Sequence, residues 1–446
     1  MLSAFTSALR TPDLRKKLLF TVAIVAIYRL GATLPSPGVS YTNVQNCIER
    51  SEDSAGGVLT LLNLFSGGAL LSLSVFALGI MPYITSSIIL QLLTVVIPRL
   101  EQLRKEGQSG QAKITQYTRY LTLGLAVLQS AAFIALARSG QLFGEACPQS
   151  DPNFQIIPEN TGIPIWLTLV ILVITMTAGT GMVMWLGELI TDRGVGNGMS
   201  MLIFTSISAR LPSEGWRIKQ ESGVAKFLLV IALVLLVIAA VVFIEQAQRR
   251  IPVQYAKRMI GRRMYGGTST YIPLKVNQAG VVPVIFASSL LYLPSLYIRF
   301  FDPNTLNAFQ TWVNNNLVRP TSPYYIGLYF LMIIFFTYFY VSITFNPTEV
   351  ADNMKKYGGF VPGIRPGKPT ADYLDFILSR ITLPGALYLS MISELPNFFF
   401  IWLNSDQYVN YPYGGTAVLI MVGVGLETVK QIESQLMQRN YEGFLR

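Results

Sequence analysis

The sequence predicts an all-α polytopic membrane protein: ten transmembrane helices in two pseudo-symmetric, inverted halves of five, with a re-entrant plug helix. Three observations lead to this fold class. The composition is 51% hydrophobic and only 13% charged, far too apolar for a soluble chain of 446 residues. Apolar runs of spanning length recur between charged loops. One short motif also occurs in both halves of the chain.

The longest uncharged run, residues 61–98, is almost twice as long as one crossing requires, since a transmembrane helix needs about 20 residues. The pair Gly67 and Gly68 weakens a helix near its beginning. We therefore predict a short half-helix over Leu61–Leu73, followed by a full span. So short a segment is re-entrant rather than spanning, and it survives at membrane depth only beside protein or water. This pattern favours a channel or a transporter.

Apolar runs between charged loops predict ten spans. They lie near residues 18–35, 75–97, 119–137, 164–190, 197–211, 224–244, 279–298, 323–345, 377–403 and 415–432. No small-residue cleavage site follows the first run, so we expect that span to be retained. The chain then divides into residues 1–211, with spans one to five, and residues 212–446, with spans six to ten.

Lys and Arg are distributed unevenly between the two sets of alternating loops. One set contains the N-terminus, residues 98–119, 191–196, 245–278 and 346–380, and the C-terminal end. It holds 25 of the 34 basic residues, whereas the other set holds 8. Because short cytoplasmic loops carry such an excess, we expect both termini on the cytoplasmic side.

Two loops on the basic side, residues 245–278 and 346–380, carry more charge than topology requires. The first has seven basic residues against a single acid, Glu245, and the second has a Gly/Pro-rich turn over residues 358–367. Setting topology or touching anionic lipid needs only a few charges. Docking of an acidic partner or of RNA phosphate is therefore favoured. The basic residues are Arg249, Arg250, Lys257, Arg258, Arg262, Arg263 and Lys275 in the first loop, and Lys355, Lys356, Arg365, Lys368 and Arg380 in the second.

The motif G-x-x-P-x-I-x-x-S occurs twice, at Gly79–Ser87 and at Gly280–Ser288. The copies fall in spans two and seven, the matching places of two five-span halves, and these spans run in opposite directions. Such an arrangement is typical of inverted repeats related by an axis in the membrane plane. A proline inside a span kinks the helix, so we predict two kinked helices that face each other along a seam that opens.

Several classes of site are excluded or disfavoured by composition. Histidine is absent, which removes imidazole as a metal ligand or proton relay. Cys47 and Cys147 lack metal-ligand spacing, and two free thiols on the outer side are favoured over a disulfide. Residues 363–369 only resemble a phosphate-binding loop. We expect no metal, no cofactor and no enzymatic activity.

Charged residues are scarce within the predicted spans. We place Arg29 in the first, Glu188 at the end of the fourth, and Glu427 and Lys430 late in the tenth. Arg29 is expected to pair with backbone or to snorkel rather than to bind a substrate. Ion-coupled transporters keep charge at mid-membrane, so a secondary solute transporter with five-plus-five inverted repeats is the weaker alternative. An interior of Ile, Leu, Met and Ser would instead let a chain of varied chemistry pass.

Longer motifs distributed from end to end of the chain match those of one known family. The motifs are Asn63–Leu70, Phe76–Ile84, Ile88–Val96, Gln116–Tyr120, Trp185–Glu188, Gly196–Gly198, Pro273–Asn277, Phe345–Pro347, Ala351–Asn353, Phe360–Gly367 and Gly385–Tyr388. By these motifs the chain resembles the SecY family, the pore subunits of the bacterial protein translocation channel.

The resemblance implies an hourglass pore with a plug, a lateral gate between spans two-three and seven-eight, and a waist of six apolar residues. Met199 departs from the isoleucine usual in the family, but it is flexible and apolar, so a seal is still expected. The implied pore ring is Ile80, Ile84, Met199, Ile203, Ile285 and Ile420; the plug contains Asn63, Phe65, Ser66, Gly67 and Gly68; the lateral gate contains Pro82, Ser87, Gln129, Pro283 and Ser288.

The resemblance also implies partners and a location. Expected partners are the small SecE and SecG subunits, the motor ATPase SecA, the ribosome, signal peptides, unfolded polypeptides and membrane lipids. The basic loops would bind SecA and the ribosome through Arg249, Arg250, Lys257, Arg258, Arg262 and Arg263, with Arg365 mattering most for coupling to the motor. The expected location is the bacterial cytoplasmic membrane.

Overall fold

The computed structural model describes residues 11–51, 66–139, 142, 154–158, 164–255, 258–260, 263–265, 269–299, 307–319, 322–402 and 415–444. A helix covers most or all of every predicted span. The helices are α1 Pro12–Thr33, α2 Tyr41–Ser51, α3 Met81–Val96, α4 Pro98–Lys105, α5 Gln108–Arg138, α6 Ile165–Arg193, α7 Gly198–Gln246, α8 Val282–Arg299, α9 Ala308–Val313, α10 Pro323–Thr344, α11 Pro347–Lys356, α12 Lys368–Trp402 and α13 Gly415–Phe444. A π-helical turn, Asn314–Val318, follows α9.

Six helices among the described residues are each long and apolar enough to cross a membrane. They are α5, α6, the second part of α7, α10, α12 and α13. A seventh crossing results if α3 and α4, which meet at a bend of 100°, form one broken span. The apolar part of α8, Val282–Leu291, is shorter. The protein is therefore a multi-pass membrane protein.

Predicted spans five and six form the single long helix α7 in the structure. Gly223 interrupts its helical backbone, with φ 82° and ψ 168°. Only glycine adopts such a conformation readily, so this residue separates the parts of α7 that correspond to the two predicted spans. The predicted division of the chain at residues 211 and 212 lies on the first part of α7 and stays a prediction.

The helices of the two halves pack in the same order. In the first half α3 packs on α5, α5 on α6, and α6 on α7. In the second half α8 packs on α10, α10 on α12, and α12 on α13. This is the arrangement expected of two copies of one five-span unit. α7, which runs through the predicted boundary between the halves, also packs along α13.

The two basic loops meet in one small antiparallel sheet, which the sequence analysis did not predict. The strands are β1 Gln248–Tyr255, β2 Arg258–Ile260, β3 Arg263–Tyr265, β4 Ser269–Lys275 and β5 Gly359–Phe360. β1 pairs with β4 from Gln248↔Lys275 to Gln254↔Ser269, and with β5 through Gln254↔Phe360 and Tyr255↔Gly359. β2 and β3 form a separate hairpin.

The sheet has its own hydrophobic core. Ile251 and Val253 alternate with exposed neighbours along β1, which is the period of a half-buried strand. They pack with Leu274 of β4 and with Met354 of α11. Val361, Leu374 and Ile377 complete the cluster. The second basic loop is thus attached to the first by packing as well as by backbone hydrogen bonds.

Cys47 of α2 is fully buried and disulfide-bonded. The expectation of two free thiols is therefore wrong. α2 is also fastened to residues 154–158: Asn43 Nδ2 donates to the carbonyl of Gln155 at 2.8 Å, and Ser40 N donates to that of Ile156 at 3.0 Å. These bonds connect the segments that follow spans one and three.

Candidate functional site

Each copy of the repeated motif begins a helix. Gly79 and Gly280 have φ of 54° and 61°, the left-handed region that favours glycine. Pro82 and Pro283 are the second residues of α3 and α8. A proline in the first turn interrupts no helical hydrogen bond. The kink predicted at these prolines is therefore wrong, because the motif starts the helix instead of bending it.

The six residues assigned to the pore ring belong to one hydrophobic core. Four are buried there, and Ile84 and Met199 pack against them partly buried. A cavity of about 480 Å³ opens beside this cluster. Ile84, Met199, Ile203 and Ile285 line the cavity, whereas Ile80 and Ile420 are each only 1% exposed. The residues that the resemblance assigned to the ring thus come from α3 and the turn before it, α7, α8 and α13, and they share one cluster.

Polar residues line the other side of this cavity. Arg119 of α5 donates from Nε and Nη2 to the two carboxylate oxygens of Glu188 on α6, both at 2.8 Å. Asp192 and Asn197 also line the space. A bidentate pair fixes orientation as well as distance. No local sequence pattern predicts a role for Arg119, although its motif and that of Glu188 both match the family.

The helices assigned to the lateral gate touch each other over a small area. α3 contacts α8 much less than it contacts α5, and α8 contacts α10 much more than α3. Pro82 and Pro283 are buried, while Ser87 lines the cavity. Ser288 donates to the Ile285 carbonyl of its own helix at 3.0 Å. Gln129 is half-buried on α5 and is not among the residues that line the cavity.

One hydrogen bond joins the two halves at the end of this seam. Arg104 Nη2 on α4 donates to the carbonyl of Ile343, near the C-terminal end of α10. Carbonyls at a helix C-terminus carry partial negative charge that attracts a cation. The bond therefore holds the segment after α3 against the second half.

The described part of the predicted plug, Ser66–Leu73, consists of turns, so the half-helix predicted there is wrong for these residues. The turns continue to residue 80, and Gly67 and Gly68 adopt φ of 68° and 95°. Asn63 and Phe65 lie outside the described residues. Arg29 Nη1 donates to the Gly67 carbonyl at 3.3 Å, which confirms that Arg29 pairs with backbone.

Two aromatic rings fix the same turn segment to α1. Phe76 stacks on Tyr28 with ring centroids 6.0 Å apart. The Tyr28 hydroxyl lies 2.7 Å from Ser206 Oγ of α7, and both side chains are fully buried. A satisfied buried hydrogen bond specifies one arrangement. The segment before α3 is therefore held by α1 and α7 together.

Glu394, on α12, is an acid within a span that the sequence analysis overlooked. Its side chain is fully buried and lies within electrostatic range of the Tyr325 and Tyr329 hydroxyls. Tyr329 Oη lies 3.4 Å from Thr416 Oγ1. Glu394 is not among the residues that line the central cavity. Its position in the ninth predicted span was the signal that could have revealed it.

The described residues assigned to docking lie on or near the sheet. Arg249 and Arg250 are exposed on β1, and the guanidinium of Arg250 lies 4.8 Å from the centre of the Tyr271 ring. Arg365 is exposed in the turn after β5, where its carbonyl accepts from Thr370 Oγ1 at 2.8 Å. Both basic loops therefore contribute to one platform. Arg258 and Arg263 lie on β2 and β3, while Lys257 and Arg262 lie outside the described residues.

The fold and the site define a multi-pass helical membrane protein of two repeated halves, with an apolar cluster beside a central cavity. The model of the SecY family matches residues 74–429. A protein translocase subunit SecY of Streptomyces scabiei is 62% identical over 450 residues, covering 100% of both chains. A SecY subunit of Mycobacterium tuberculosis H37Rv is 61% identical over 451 residues, again covering 100% of both. The chain belongs to the SecY family.

Solved structures share the fold at low sequence identity. One described as a protein-conducting channel has a TM-score of 0.61 at 17% identity, covering 94% of this chain and 91% of its own. A SecY structure concerned with its plug domain has a TM-score of 0.62 at 18% identity with the same coverage. Sec61 in the canine ribosome–channel complex has a TM-score of 0.57 at 17% identity, covering 94% and 91%.

Proposed function

We propose that this chain is the central, passive pore of a bacterial protein-conducting channel. It passes unfolded secretory proteins across the cytoplasmic membrane and releases hydrophobic segments sideways into the lipid. The observation that carries the proposal is the apolar waist, where Ile84 and Ile285 occupy the same slot of the repeat and line one cavity. The full-length identity to protein translocase subunits supports it.

The waist acts as a seal around a moving chain. Its residues are aliphatic or thioether side chains, which present no charge or fixed hydrogen bond to a passing polypeptide. A hydrophobic constriction also limits ion passage by dewetting when it is empty. The ring thus lets polypeptides of any sequence pass while it limits the leak of ions. It consists of Ile80, Ile84, Met199, Ile203, Ile285 and Ile420.

The gate opens where packing is weakest. A hydrophobic signal peptide that inserts between α3 and α8 replaces few contacts, since each helix packs mainly within its own half. Such a segment shifts the equilibrium towards the open state because it binds the open state more tightly than the closed one. Pro82, Ser87, Gln129, Pro283 and Ser288 are assigned to this gate. The segment containing Ser66, Gly67 and Gly68 then leaves the pore as a plug.

The driving force comes from outside the chain. SecA or the ribosome would dock on the platform formed by the two basic loops, with Arg249, Arg250 and Arg365 presented together. The structural neighbour found with a ribosome supports that partner. SecE and SecG are proposed as accompanying subunits, and the charge bias of the loops supports cytoplasmic termini. No covalent step is required of this chain.

The test is translocation of a secretory precursor into vesicles that contain the full chain and its partner subunits. With purified SecA and ATP, we expect the precursor to become protected from added protease in proportion to time. Omission of ATP is the control and should abolish protection. Vesicles that accumulate a small solute but never protect a precursor would contradict the proposal and restore the transporter alternative.

A further inference from the structure

Asn277 occupies a buried position between the basic sheet and the start of α8. Its side chain is 3% exposed. Its Nδ2 donates to Glu245 Oε1 at the end of α7 and to the carbonyl of Gly280 at 3.1 Å. Its Oδ1 accepts no hydrogen bond within the described part of the chain. The side chain therefore acts here through its amino group alone.

This position connects three elements. β4 ends at Lys275, and Val276 N extends the ladder by donating to the Ala247 carbonyl at 3.0 Å. Asn277 follows at once, and Gly280 turns the chain into α8 with φ 61°. The Asn277 amide thus fastens the turn that begins α8 to the last residues of α7, directly beside the strand that leaves the sheet.

The recess around Asn277 is polar and balanced in charge. Its volume is about 300 Å³, and Glu245, Lys275, Asn277, Gly280, Glu427 and Lys430 are among the residues that line it. Two acids and two bases in one small space compete for the same hydrogen bonds. Of the two acids, Glu245 is the one that accepts the hydrogen bond from Asn277. The position of Glu245 at the end of α7, and not its charge alone, therefore selects it as the partner.

The matching position of the first half carries an apolar side chain. Phe76 precedes Gly79 as Asn277 precedes Gly280, by three residues. Phe76 is buried by stacking on Tyr28. The side chain at this position thus stacks on an aromatic ring in one half and donates two hydrogen bonds in the half that carries the sheet. A hydrogen bond is lost over a small displacement, whereas a stacked ring tolerates sliding.

We propose that Asn277 is a positioning residue of the gate. It holds the start of α8 in the closed arrangement and releases it when β4 moves relative to α7. The inference rests on the proposed function, because it assigns a role to α8 as a gate helix. Both hydrogen bonds of the Asn277 amide are required. The bond to Glu245 attaches the side chain to α7, and the bond to the Gly280 carbonyl restrains the start of α8.

The test measures the distance between nitroxide labels on α3 and α8 in the full chain, reconstituted in lipid vesicles with its partner subunits. Val95→Cys and Leu290→Cys supply exposed attachment sites, at 54% and 42% exposure. We expect Asn277→Ala to raise the ratio of open to closed distances about threefold to tenfold, the range that the loss of one typical net hydrogen bond allows. Gln278→Ala, a neighbour lining the same recess, is the matched control and should leave the ratio unchanged.

A paired substitution separates positioning from simple stability. In Asn277→Asp with Glu245→Gln, the new amide donates to the new carboxylate, but nothing donates to Gly280. We expect thermal stability to recover relative to Asn277→Asp alone, while the open distances persist. Recovery of the closed distances, or equal behaviour of Asn277→Ala and Gln278→Ala, would overturn the inference.

The wild-type chain distinguishes this failure from failure of the proposed function. Adding a hydrophobic signal peptide should lengthen the distance between the labels in the wild type. A wild type that does not respond refutes the gate itself, whatever Asn277 does. A wild type that responds, with Asn277→Ala matching the control, refutes only the role of Asn277.

Discussion

The main-chain carbonyl of Val75 packs so closely on Gly179 that a Cβ on this glycine would overlap the oxygen. Val276 makes the same contact with Gly385. Val75 and Val276 each lie four residues before the repeat glycine, and Gly179 and Gly385 lie on α6 and α12, the matching helices of the two halves. The repeat therefore extends from a nine-residue motif to the way in which helices pack.

Gly179→Ala and Gly385→Ala are each expected to destabilise the protein by about 1–3 kcal/mol, the usual cost of overpacking. A backbone oxygen cannot rotate away as a side chain can. Thermal unfolding in detergent measures the effect. Gly425→Ala is the control, because a Cβ there meets no atom within 4 Å, and it should be neutral or stabilising. Equal stability of all three variants would show that the backbone contact relaxes freely.

Exchanging the charges of Arg119 and Glu188 tests the ion pair beside the cavity. Arg119→Glu or Glu188→Arg alone places like charges together, whereas the double exchange restores attraction. We expect a coupling energy of about 1 kcal/mol, since Arg119 is 47% exposed and water screens such pairs. A double-mutant cycle on thermal stability gives this number. Strict additivity would mean that the pair contributes nothing.

Replacing Ile84 and Ile285 by serine is expected to raise ion leak through the resting channel several-fold. Hydroxyl groups wet the constriction and weaken the dewetting barrier. Chloride efflux from reconstituted vesicles measures the leak. Leu331→Ser on α10, 64% exposed and away from the cavity, controls for a general effect of serine on the helices. A leak unchanged from wild type would contradict the assignment of the ring.

Deleting residues 61–73 should also raise ion leak if this segment closes the pore. Arg29→Met should raise it by less, because within the described part of the chain it removes one bond, to the Gly67 carbonyl, at about 1.5–3 kcal/mol for a charged donor. Arg29→Lys retains a donor and serves as the control. The plug assignment would fail if the deletion left the resting leak at the wild-type level.

Arg365→Glu should impair SecA-driven transport of a precursor without changing the fold. The residue is exposed in a turn, and its carbonyl, rather than its guanidinium, is used by Thr370. Protease protection in vesicles measures transport, and circular dichroism measures helix content. Arg319 is exposed after the π-helical turn, and the charges of the loops predict that it lies on the opposite side of the membrane. The control variant Arg319→Glu should therefore transport normally. Normal transport by Arg365→Glu as well would exclude a role in coupling.

The spans and the repeat could be predicted from the sequence because the membrane imposes a simple length and composition rule. The role of Pro82 could not, since the same residue bends a helix or starts one according to where the helix begins. β1 could not be predicted because its apolar alternation is short, consisting of Ile251 and Val253, and lies in a loop whose dominant feature is positive charge. The contact of Arg119 with Glu188 depends on the packing of α5 on α6, which no local pattern contains.

The described strands all come from residues 248–360, and hence from the second half of the chain. If a motor or a ribosome docks on these strands as proposed, its force is applied to the second half. The first half contacts the second through the apolar cluster and through the hydrogen bond from Arg104 to the Ile343 carbonyl. Opening is then a movement of the second half relative to the first, and a docked partner has to displace only one of the two.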